Sequence, residues 1–353
     1  MDNTVFILTT LGVITSFIIT FALGKIVIPI LKKFKAKQTI LEIGPSWHKS
    51  KEGTPTMGGV IFIAAILICC AVFFPIYYKF LIKDLFFSGW SFDKNYFNYS
   101  LFSTIYGLLM ALSFGFIGFF DDYIKITKKQ NLGLTPKQKL ALQFLVAFLY
   151  LFIKSFTQII CGFNKITTIK FPFFNEIDLG IFYWILSAIF IVGTVNAVNL
   201  TDGIDGLNIS VTFFASCFLL AIAFILNYQI LGILVSIFAG SCLGFLLFNI
   251  HPAKVFMGDT GSLFLGGLLC SVAFTMNVPF FLIIIGSVYY IEMFSVILQV
   301  SYFKATKGKR LFKMTPIHHH FELLKFSENK ICFIASAVTV FCGVIAMLLL
   351  LYT

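Results

Sequence analysis

Residues 229–262 read QILGILVSIFAGSCLGFLLFNIHPAKVFMGDTGS, and they show the pattern that decides the fold. An apolar run over 229–249 is followed by a short polar island with Lys254 and Asp259, after which the next apolar run begins. A helix of about 20 apolar residues crosses the hydrocarbon core of a bilayer. The stretch therefore predicts two membrane-spanning helices joined by a short polar loop.

The same alternation of apolar runs and polar islands continues along the whole chain of 353 residues. The chain is 59% hydrophobic and 12% charged, whereas soluble domains are about 45–50% apolar and about 25% charged. We therefore predict an all-α integral membrane protein, a single polytopic domain over 1–353 with about ten transmembrane helices. The predicted spans are 5–31, 58–79, 101–120, 140–160, 181–198, 208–226, 229–249, 262–277, 279–302 and 331–352.

Ten spans place both termini on one side of the membrane and five polar loops on the other. These loops are 32–57, 121–139, 199–207, 250–261 and 303–330. Most of the 26 basic residues lie in or beside them, and such an excess marks the cytoplasmic side of a membrane protein. We therefore expect extracytoplasmic termini and an active site formed by the five cytoplasmic loops. The stretch 161–180 predicts a short extracytoplasmic hairpin.

Two motifs on the predicted cytoplasmic side suit phosphate or metal binding. The first loop contains Lys51 and, over 53–59, GTPTMGG, where hydroxyls and glycines at a helix start favour phosphate. An ordinary Gly/Pro loop with positive-inside lysines would have the same composition. The third span ends in Asp121 and Asp122. Adjacent carboxylates at a membrane surface are most easily held by a divalent cation, a lysine or a shared proton.

The third and fourth loops add oxygen ligands between glycines. Asn196 and Asn199 are spaced i, i+3 on one helix face and precede TDGIDG over 201–206, although Asp-Gly pairs are also ordinary turn chemistry. Asp259 lies between two glycines, as a metal or phosphate ligand would. Phe256 is expected to be an exposed aromatic that either stacks on a base or anchors the loop at the membrane surface.

The last loop contains three consecutive histidines, His318, His319 and His320. Because consecutive helical residues point about 100° apart, we expect one or two of them to face a site as phosphate donors or proton carriers. Glu292 is the acid placed deepest in a span. An intramembrane carboxylate suggests function, but it could equally hold a neighbouring helix through a hydrogen bond.

These residues together favour phosphoryl transfer at a membrane surface. The chain has no Walker A pattern, no Rossmann fingerprint and no Gly-x-Ser-x-Gly elbow. Acids that gather a divalent metal, with basic groups for phosphate oxygens, suit transfer between a soluble anion and a lipid. The acids are Asp121, Asp122, Asp202, Asp205 and Asp259.

The same motifs resemble bacterial phospho-N-acetylmuramoyl-pentapeptide transferases of the polyprenyl-phosphate N-acetylhexosamine 1-phosphate transferase superfamily. The resemblance covers nearly the whole chain. The Asp-Asp pair and the Asn/Asp loop are shared across the superfamily, whereas TPTM over 54–57 and the triple histidine are specific to this branch. It implies a Mg²⁺-dependent transfer from UDP-N-acetylmuramoyl-pentapeptide to undecaprenyl phosphate, which yields lipid I and UMP in the bacterial cytoplasmic membrane. It implies no nucleic-acid partner and leaves a homodimer open.

The resemblance also implies a role for each candidate residue. Asp259 would bind magnesium, Asp121 would be the leading candidate for a base, and Asp122 would support metal or substrate. The remaining catalytic candidate is His318, which would meet the donor's phosphates or sugar together with His319. Phe256 would stack on uracil. The other substrate-binding candidates are Lys51, Thr54, Lys125, Lys137, Asn196, Asn199, Leu200, Asp202, Gly203, Asp205 and Asn249.

Within that set the resemblance separates three subsites. Lys51, Leu200, Gly203, Asp205 and Asn249 would surround the nucleoside. Asn199 and Asp202 would line the diphosphate pocket, and Lys125 and Lys137 would meet phosphate.

Two alternatives remain at the level of sequence. A sister transferase that uses UDP-N-acetylglucosamine would share the superfamily motifs. A secondary transporter for an anion would need intramembrane charge and broken spans, but here the acids lie mostly in loops on one side.

Overall fold

A computed structural model describes residues 3–33, 51, 53–88, 94–128, 133–163, 165–171 and 174–352. The first predicted loop lies largely outside this range, including His48, Lys49 and Glu52. The described chain is helical apart from one pair of short strands. In chain order the elements are α1 Asn3–Lys33, α2 Gly59–Ser88, α3 Lys94–Lys128, α4 Pro136–Ile160, β1 Thr168–Phe171, β2 Phe174–Asp178, α5 Phe182–Leu200, α6 Leu207–Ile225, α7 Gln229–Asn249, α8 Gly258–Thr275, α9 Pro279–Ile285, α10 Ser287–Ala305, α11 Ile317–Leu323 and α12 Glu328–Leu351.

Eight of the described helices are long and apolar enough to cross a membrane, namely α1 to α7 and α12. Large apolar side chains such as Phe6, Phe152 and Phe341 are exposed on their outer faces, which suits a lipid environment. The multi-pass membrane class is therefore confirmed. The predicted eighth span corresponds to α8, a helix of 18 residues that is not one of these eight, so the ten-span topology and the sidedness of the termini remain predictions.

The predicted ninth span over 279–302 is wrong as a single helix. It consists of α9 and α10, which meet at an angle of 80°. The break falls at Gly286, whose backbone φ of −91° and ψ of 21° lie outside the helical region. A Cβ at Gly286 would lie 2.9 Å from the carbonyl oxygen of Leu282 and 3.0 Å from the Tyr289 ring. Close packing at a residue without a side chain therefore accompanies the bend.

Several helices extend beyond the predicted spans. Helix α3 continues to Lys128, so Asp121 and Asp122 lie in its last turns. The predicted boundary at 120 had placed them in a loop. Helix α5 continues to Leu200, which places Asn196 and Asn199 on one helix as expected. The predicted hairpin is confirmed as the antiparallel pair β1–β2, with Thr168 opposite Asp178.

Helix α8 lies at the centre of the bundle, and its side chains from Thr260 to Thr275 are all buried. It packs most extensively against α3 and also against α5. Small residues permit the close approach, since a Cβ at Gly266 would lie 2.7 Å from the Cα of Val195. Membrane helices commonly pack through such residues. The N-terminus of α8 is thereby fixed beside the C-terminal ends of α3 and α5.

Candidate active site

The Asp259 carboxylate joins four helices. Its Oδ1 accepts a hydrogen bond of 2.9 Å from Asn199 Nδ2 on α5. Its Oδ2 lies 3.0 Å from Lys125 Nζ on α3 and 2.8 Å from Lys139 Nζ on α4. Asn199 also donates to the hydroxyl of Ser262 at 2.7 Å. The first turn of α8 is thus the meeting point of the polar ends of α3, α4 and α5.

The Asp121 carboxylate lies beside the same lysine. Its Oδ2 is 2.6 Å from Lys125 Nζ, one helical turn further along α3. Its Oδ1 accepts a hydrogen bond of 2.7 Å from the backbone N–H of Leu134, and the side chain is buried. Lys125 therefore bridges Asp121 and Asp259, two of the five acids that the sequence predicted to lie together.

Asp122 caps the N-terminus of α8. Its Oδ2 accepts from the Thr260 backbone N–H at 2.9 Å and from the Thr260 hydroxyl at 2.7 Å, and its Oδ1 accepts from the Asp259 N–H at 3.3 Å. A carboxylate at a helix N-terminus satisfies free N–H groups and the helix dipole. These hydrogen bonds hold the turn that carries Asp259, and the expected support of metal or substrate by Asp122 stays a prediction.

Carboxylates and lysine ammonium groups lie close together in this region, which we call the Asp259 cluster. The cluster comprises Asp121, Asp122, Lys125, Lys139, Asn199 and Asp259. Burial acting alone would raise the pKa of Asp259, but the charges of Lys139 and Lys125 outweigh burial and hold it below its ordinary value. In the loop after α5, burial raises the pKa of Asp202 well above its ordinary value, and the charges of Asp259 and Asp122 raise it further.

Three carboxylates of the Asp259 cluster fit a divalent cation. One oxygen from each of Asp121, Asp122 and Asp259 lies within 4.8 Å of the others. Mg²⁺ prefers carboxylate oxygens and phosphate oxygens as ligands. Because the hydrogen bonds of Asp122 are directed to α8, Asp259 and Asp121 are the better placed pair.

A second group of charges, the Lys51 cluster, consists of Lys51, Asp205, His251 and Glu328. Lys51 Nζ lies 2.7 Å from Asp205 Oδ1 and 2.7 Å from Glu328 Oε2. His251 Nδ1 lies 2.9 Å from Asp205 Oδ2. Beside the cluster, the Asn249 carboxamide accepts from the Gly206 N–H at 3.2 Å and donates to the Val255 carbonyl at 2.9 Å. The first, third and fourth loops thus converge here.

The histidine segment forms the short helix α11. The His318 ring is buried, its Nδ1 lies 3.0 Å from Glu292 Oε2, and its Nε2 has no hydrogen-bond partner among the described residues. A side chain at Gly203 would collide with that ring, so His318 lies against the loop after α5. His319 Nδ1 lies 2.6 Å from Glu322 Oε2. Glu292 therefore holds α11 in place, the second of the two roles considered for it.

The remaining candidates occupy less central positions. Asn196 Nδ2 donates to Gln143 Oε1 at 2.7 Å and joins α5 to α4, whereas only its neighbour Asn199 reaches Asp259. Phe256 is half-buried and not exposed, and its backbone N–H donates to the Pro55 carbonyl at 2.8 Å, which fixes the loop. The other candidates in these loops are partly buried, namely Thr54, Leu200, Asp202 and Gly203.

Lys139, Glu328 and His251 were missed by the sequence reasoning. Lys137 was, with Lys125, a predicted phosphate ligand, but it is exposed in the first turn of α4, whereas Lys139 reaches Asp259. Residues two apart on a helix point about 200° from each other, so one face of α4 cannot present both. Helical geometry could have indicated that only one of the two lysines faces the site, but not which one.

Replacing each of these two lysines on its own tests which of them acts in the site. We expect Lys139→Met to lower kcat/KM about 100-fold, because it removes one of the two cations that pair with the partly buried Asp259 carboxylate. The matched change Lys137→Met is expected to have a smaller effect, measured in the same assay at saturating lipid. An equal or larger loss for Lys137→Met would restore the sequence-based assignment.

The fold and the site define a polytopic membrane protein with an acid–lysine cluster of the kind used in phosphoryl transfer. Residues 104–277 match the family described as Glycosyl transferase family 4, and residues 51–63 match signature 1 of the phospho-N-acetylmuramoyl-pentapeptide-transferases.

Relatives of this name are similar over nearly the whole chain. The phospho-N-acetylmuramoyl-pentapeptide-transferase of Clostridium perfringens strain SM101 is 43% identical over 334 residues, 94% of this chain and 94% of the relative. The Listeria innocua protein of the same name is 45% identical over 317 residues, 90% of each chain. The chain belongs to the phospho-N-acetylmuramoyl-pentapeptide transferase family.

Proposed function

We propose that this protein transfers phospho-N-acetylmuramoyl-pentapeptide from UDP-N-acetylmuramoyl-pentapeptide to undecaprenyl phosphate. The products are lipid I and UMP, and the reaction is the first membrane step of peptidoglycan synthesis. Family membership supports the reaction. The observation that carries it is the Asp259 cluster, in which acids and lysines pair where the ends of α3, α4, α5 and α8 converge.

The lysines of the cluster are placed to receive the phosphates of the donor. Lys125 and Lys139 neutralise Asp259 in the structure, and they can turn to phosphate oxygens when a substrate enters. An oxygen of the lipid phosphate attacks the sugar-linked phosphorus, and the bond from that phosphorus to the UMP oxygen breaks. One diphosphate replaces another, so the reaction needs no further energy source.

Direct attack by the lipid phosphate is the simpler mechanism. A phosphate monoester is already an anionic nucleophile and needs no covalent aspartyl intermediate. Asp121, fixed by Lys125 and by the Leu134 N–H, is the candidate to take up a proton from a lipid phosphate that arrives protonated. Asp122 contributes by holding the first turn of α8.

Magnesium is the cofactor that fits these carboxylates best. Asp259 would hold it, with Asp121 beside it as the base, and when bound it supplies positive charge to the diphosphate oxygens. We further propose that the protein lies in the bacterial cytoplasmic membrane with this site facing the cytoplasm, because the donor is a soluble nucleotide and most basic residues lie on that side.

Exchange of labelled UMP with the donor tests the proposed function. We expect purified protein in detergent to move label from UMP into UDP-N-acetylmuramoyl-pentapeptide only when undecaprenyl phosphate and Mg²⁺ are both present. Absence of exchange in a folded preparation would overturn the transferase assignment and reopen anion transport. UDP-N-acetylglucosamine serves as the competing donor. Product from that donor alone would assign the protein to the sister branch.

A further inference from the structure

Glu328 lies outside every motif that the sequence singles out, yet it contacts three separate segments of the protein. Its Oε2 accepts from Lys51 Nζ at 2.7 Å and from the Asp205 backbone N–H at 2.8 Å. Its Oε1 lies 3.4 Å from His251 Nδ1. Glu328 is the first residue of α12. The last membrane helix is therefore tied to the loops that precede α2, follow α5 and follow α7.

A second residue of α12 reinforces this connection. Cys332, one helical turn after Glu328, places its Sγ 3.2 Å from the Asp205 carbonyl oxygen. The Asp205 carboxylate is also engaged, because its Oδ2 accepts from the Ala253 N–H at 2.9 Å. Asp205 is thus held through its amide, its carbonyl and its carboxylate. The start of α12 therefore holds the loop after α5 in position.

The charges of the Lys51 cluster decide what this region can bind. One ammonium lies between two carboxylates, and the three side chains are 13%, 2% and 12% exposed. Lys51 is therefore already neutralised, and the pair of acids repels a phosphate. An uncharged group that both donates and accepts hydrogen bonds, such as a nucleobase, suits this surface better. The phosphates belong with Lys125 and Lys139 in the Asp259 cluster.

We propose that Glu328 is a positioning residue for the nucleoside part of the donor. It acts through Lys51, whose ammonium it orients together with Asp205, and it does not contact the reacting phosphates. This inference rests on the proposed function, since it assumes that a uridine nucleotide binds beside the Lys51 cluster. Loss of the Glu328 charge should weaken binding of the nucleotide and leave the chemical step nearly unchanged.

Glu328→Gln in the full-length protein tests the inference. Glutamine keeps the size of the side chain and its oxygen can still accept from the Asp205 N–H, so the main loss is the charge facing Lys51. We expect the Kd for UMP and the KM for the donor to rise about tenfold, as for loss of a charged hydrogen bond. We expect kcat to stay within about twofold. Calorimetry with UMP and steady-state kinetics give these values.

Glu176→Gln is the matched control, because Glu176 is also ion-paired, at 2.9 Å to Lys165, but lies in the β-hairpin. It should leave the Kd for UMP and the KM unchanged. A lower Tm and kcat for Glu328→Gln with an unchanged KM would show a merely structural role and overturn the inference. An equal change in the Glu176→Gln control would overturn it as well.

A double-mutant comparison shows whether Glu328 acts through Lys51. In a Lys51→Met background, Glu328→Gln should change the Kd for UMP by less than about twofold, because interacting residues are not additive. A further tenfold loss in that background would contradict the inference. If the unmodified protein neither binds UMP nor exchanges it, the proposed function fails. If it does both and Glu328→Gln binds UMP normally, only the inference about Glu328 fails.

Discussion

Replacing Asp259 with asparagine is expected to abolish measurable turnover while the protein stays folded. Asparagine has the same shape, and its carbonyl oxygen can still accept from Asn199 Nδ2, which lies 2.9 Å from Asp259 Oδ1. The change removes the negative charge that faces Lys125 and Lys139. It also removes the best-placed carboxylate for Mg²⁺. A fall in kcat of at least about 1000-fold is expected when charge stabilisation of a phosphoryl-transfer step is lost.

The measurement is Mg²⁺-dependent transfer to undecaprenyl phosphate, with thermal unfolding in detergent recorded in parallel. Asp178→Asn is the matched control, since Asp178 accepts from the Gly180 N–H at 2.9 Å in the β-hairpin and is not a member of the cluster. It should keep nearly full activity. Near-normal turnover of Asp259→Asn would refute the metal role, and loss of its folding would show that the two lysines need a carboxylate partner at this position.

Much of this arrangement could be predicted because helical spans place their ends at the two membrane surfaces. Asp121, Asp202 and Asp259 were expected in one region, since their loops were assigned to one side of the bilayer. The structure brings Asp121 and Asp259 to the same lysine. No alternation of polar and apolar residues could reveal that the Asp122 oxygens accept from the first turn of α8. That contact depends on how α3 crosses α8.

A contact between distant segments explains why the sequence did not single out Glu328. In the sequence, Glu328 looks like an ordinary acid at the end of the predicted fifth loop, just before the predicted final span. Its role emerges only when α12 packs beside the loop after α5 and brings Lys51 within reach. The break at Gly286 was missed for a different reason, because its close contacts are with near neighbours in the chain. The composition of 279–302 is continuous in hydropathy, and the bend occurs where the chain packs against Tyr289 and Leu282.

Replacing Gly118 with alanine is expected to cause the largest loss of activity among changes that leave every charged residue intact. Gly118 lies one turn before Asp121 and Asp122, on the side of α3 that contacts α8. A Cβ added there would collide with the carbonyl group of Asp259 and lie 2.6 Å from the Thr260 nitrogen. These are backbone atoms, which cannot turn aside as a flexible side chain could. The first turn of α8 must therefore move away from α3.

This displacement would disturb the site at its centre. The hydrogen bonds that Asp122 accepts from Thr260, at 2.9 Å and 2.7 Å, join α3 to α8 at this contact. The ion pair between Lys125 and Asp259, at 3.0 Å, joins the same two helices. A misplacement of about 1 Å can lower a rate about 100-fold, and overpacking costs about 1–3 kcal/mol of stability. We expect both effects, measured as kcat/KM and as the Tm in detergent.

Gly193→Ala separates packing from the general effect of adding a methyl group to a membrane helix. Gly193 lies on α5, the helix that carries Asn199, and a Cβ there would have no heavy atom within 4 Å. Alanine is the better helix former by about 1 kcal/mol, so activity should persist and the Tm should not fall. If Gly118→Ala behaves like this control, α3 and α8 are not in backbone contact, and the position of Asp259 must be fixed by its contacts with Asp122, Asn199 and the two lysines.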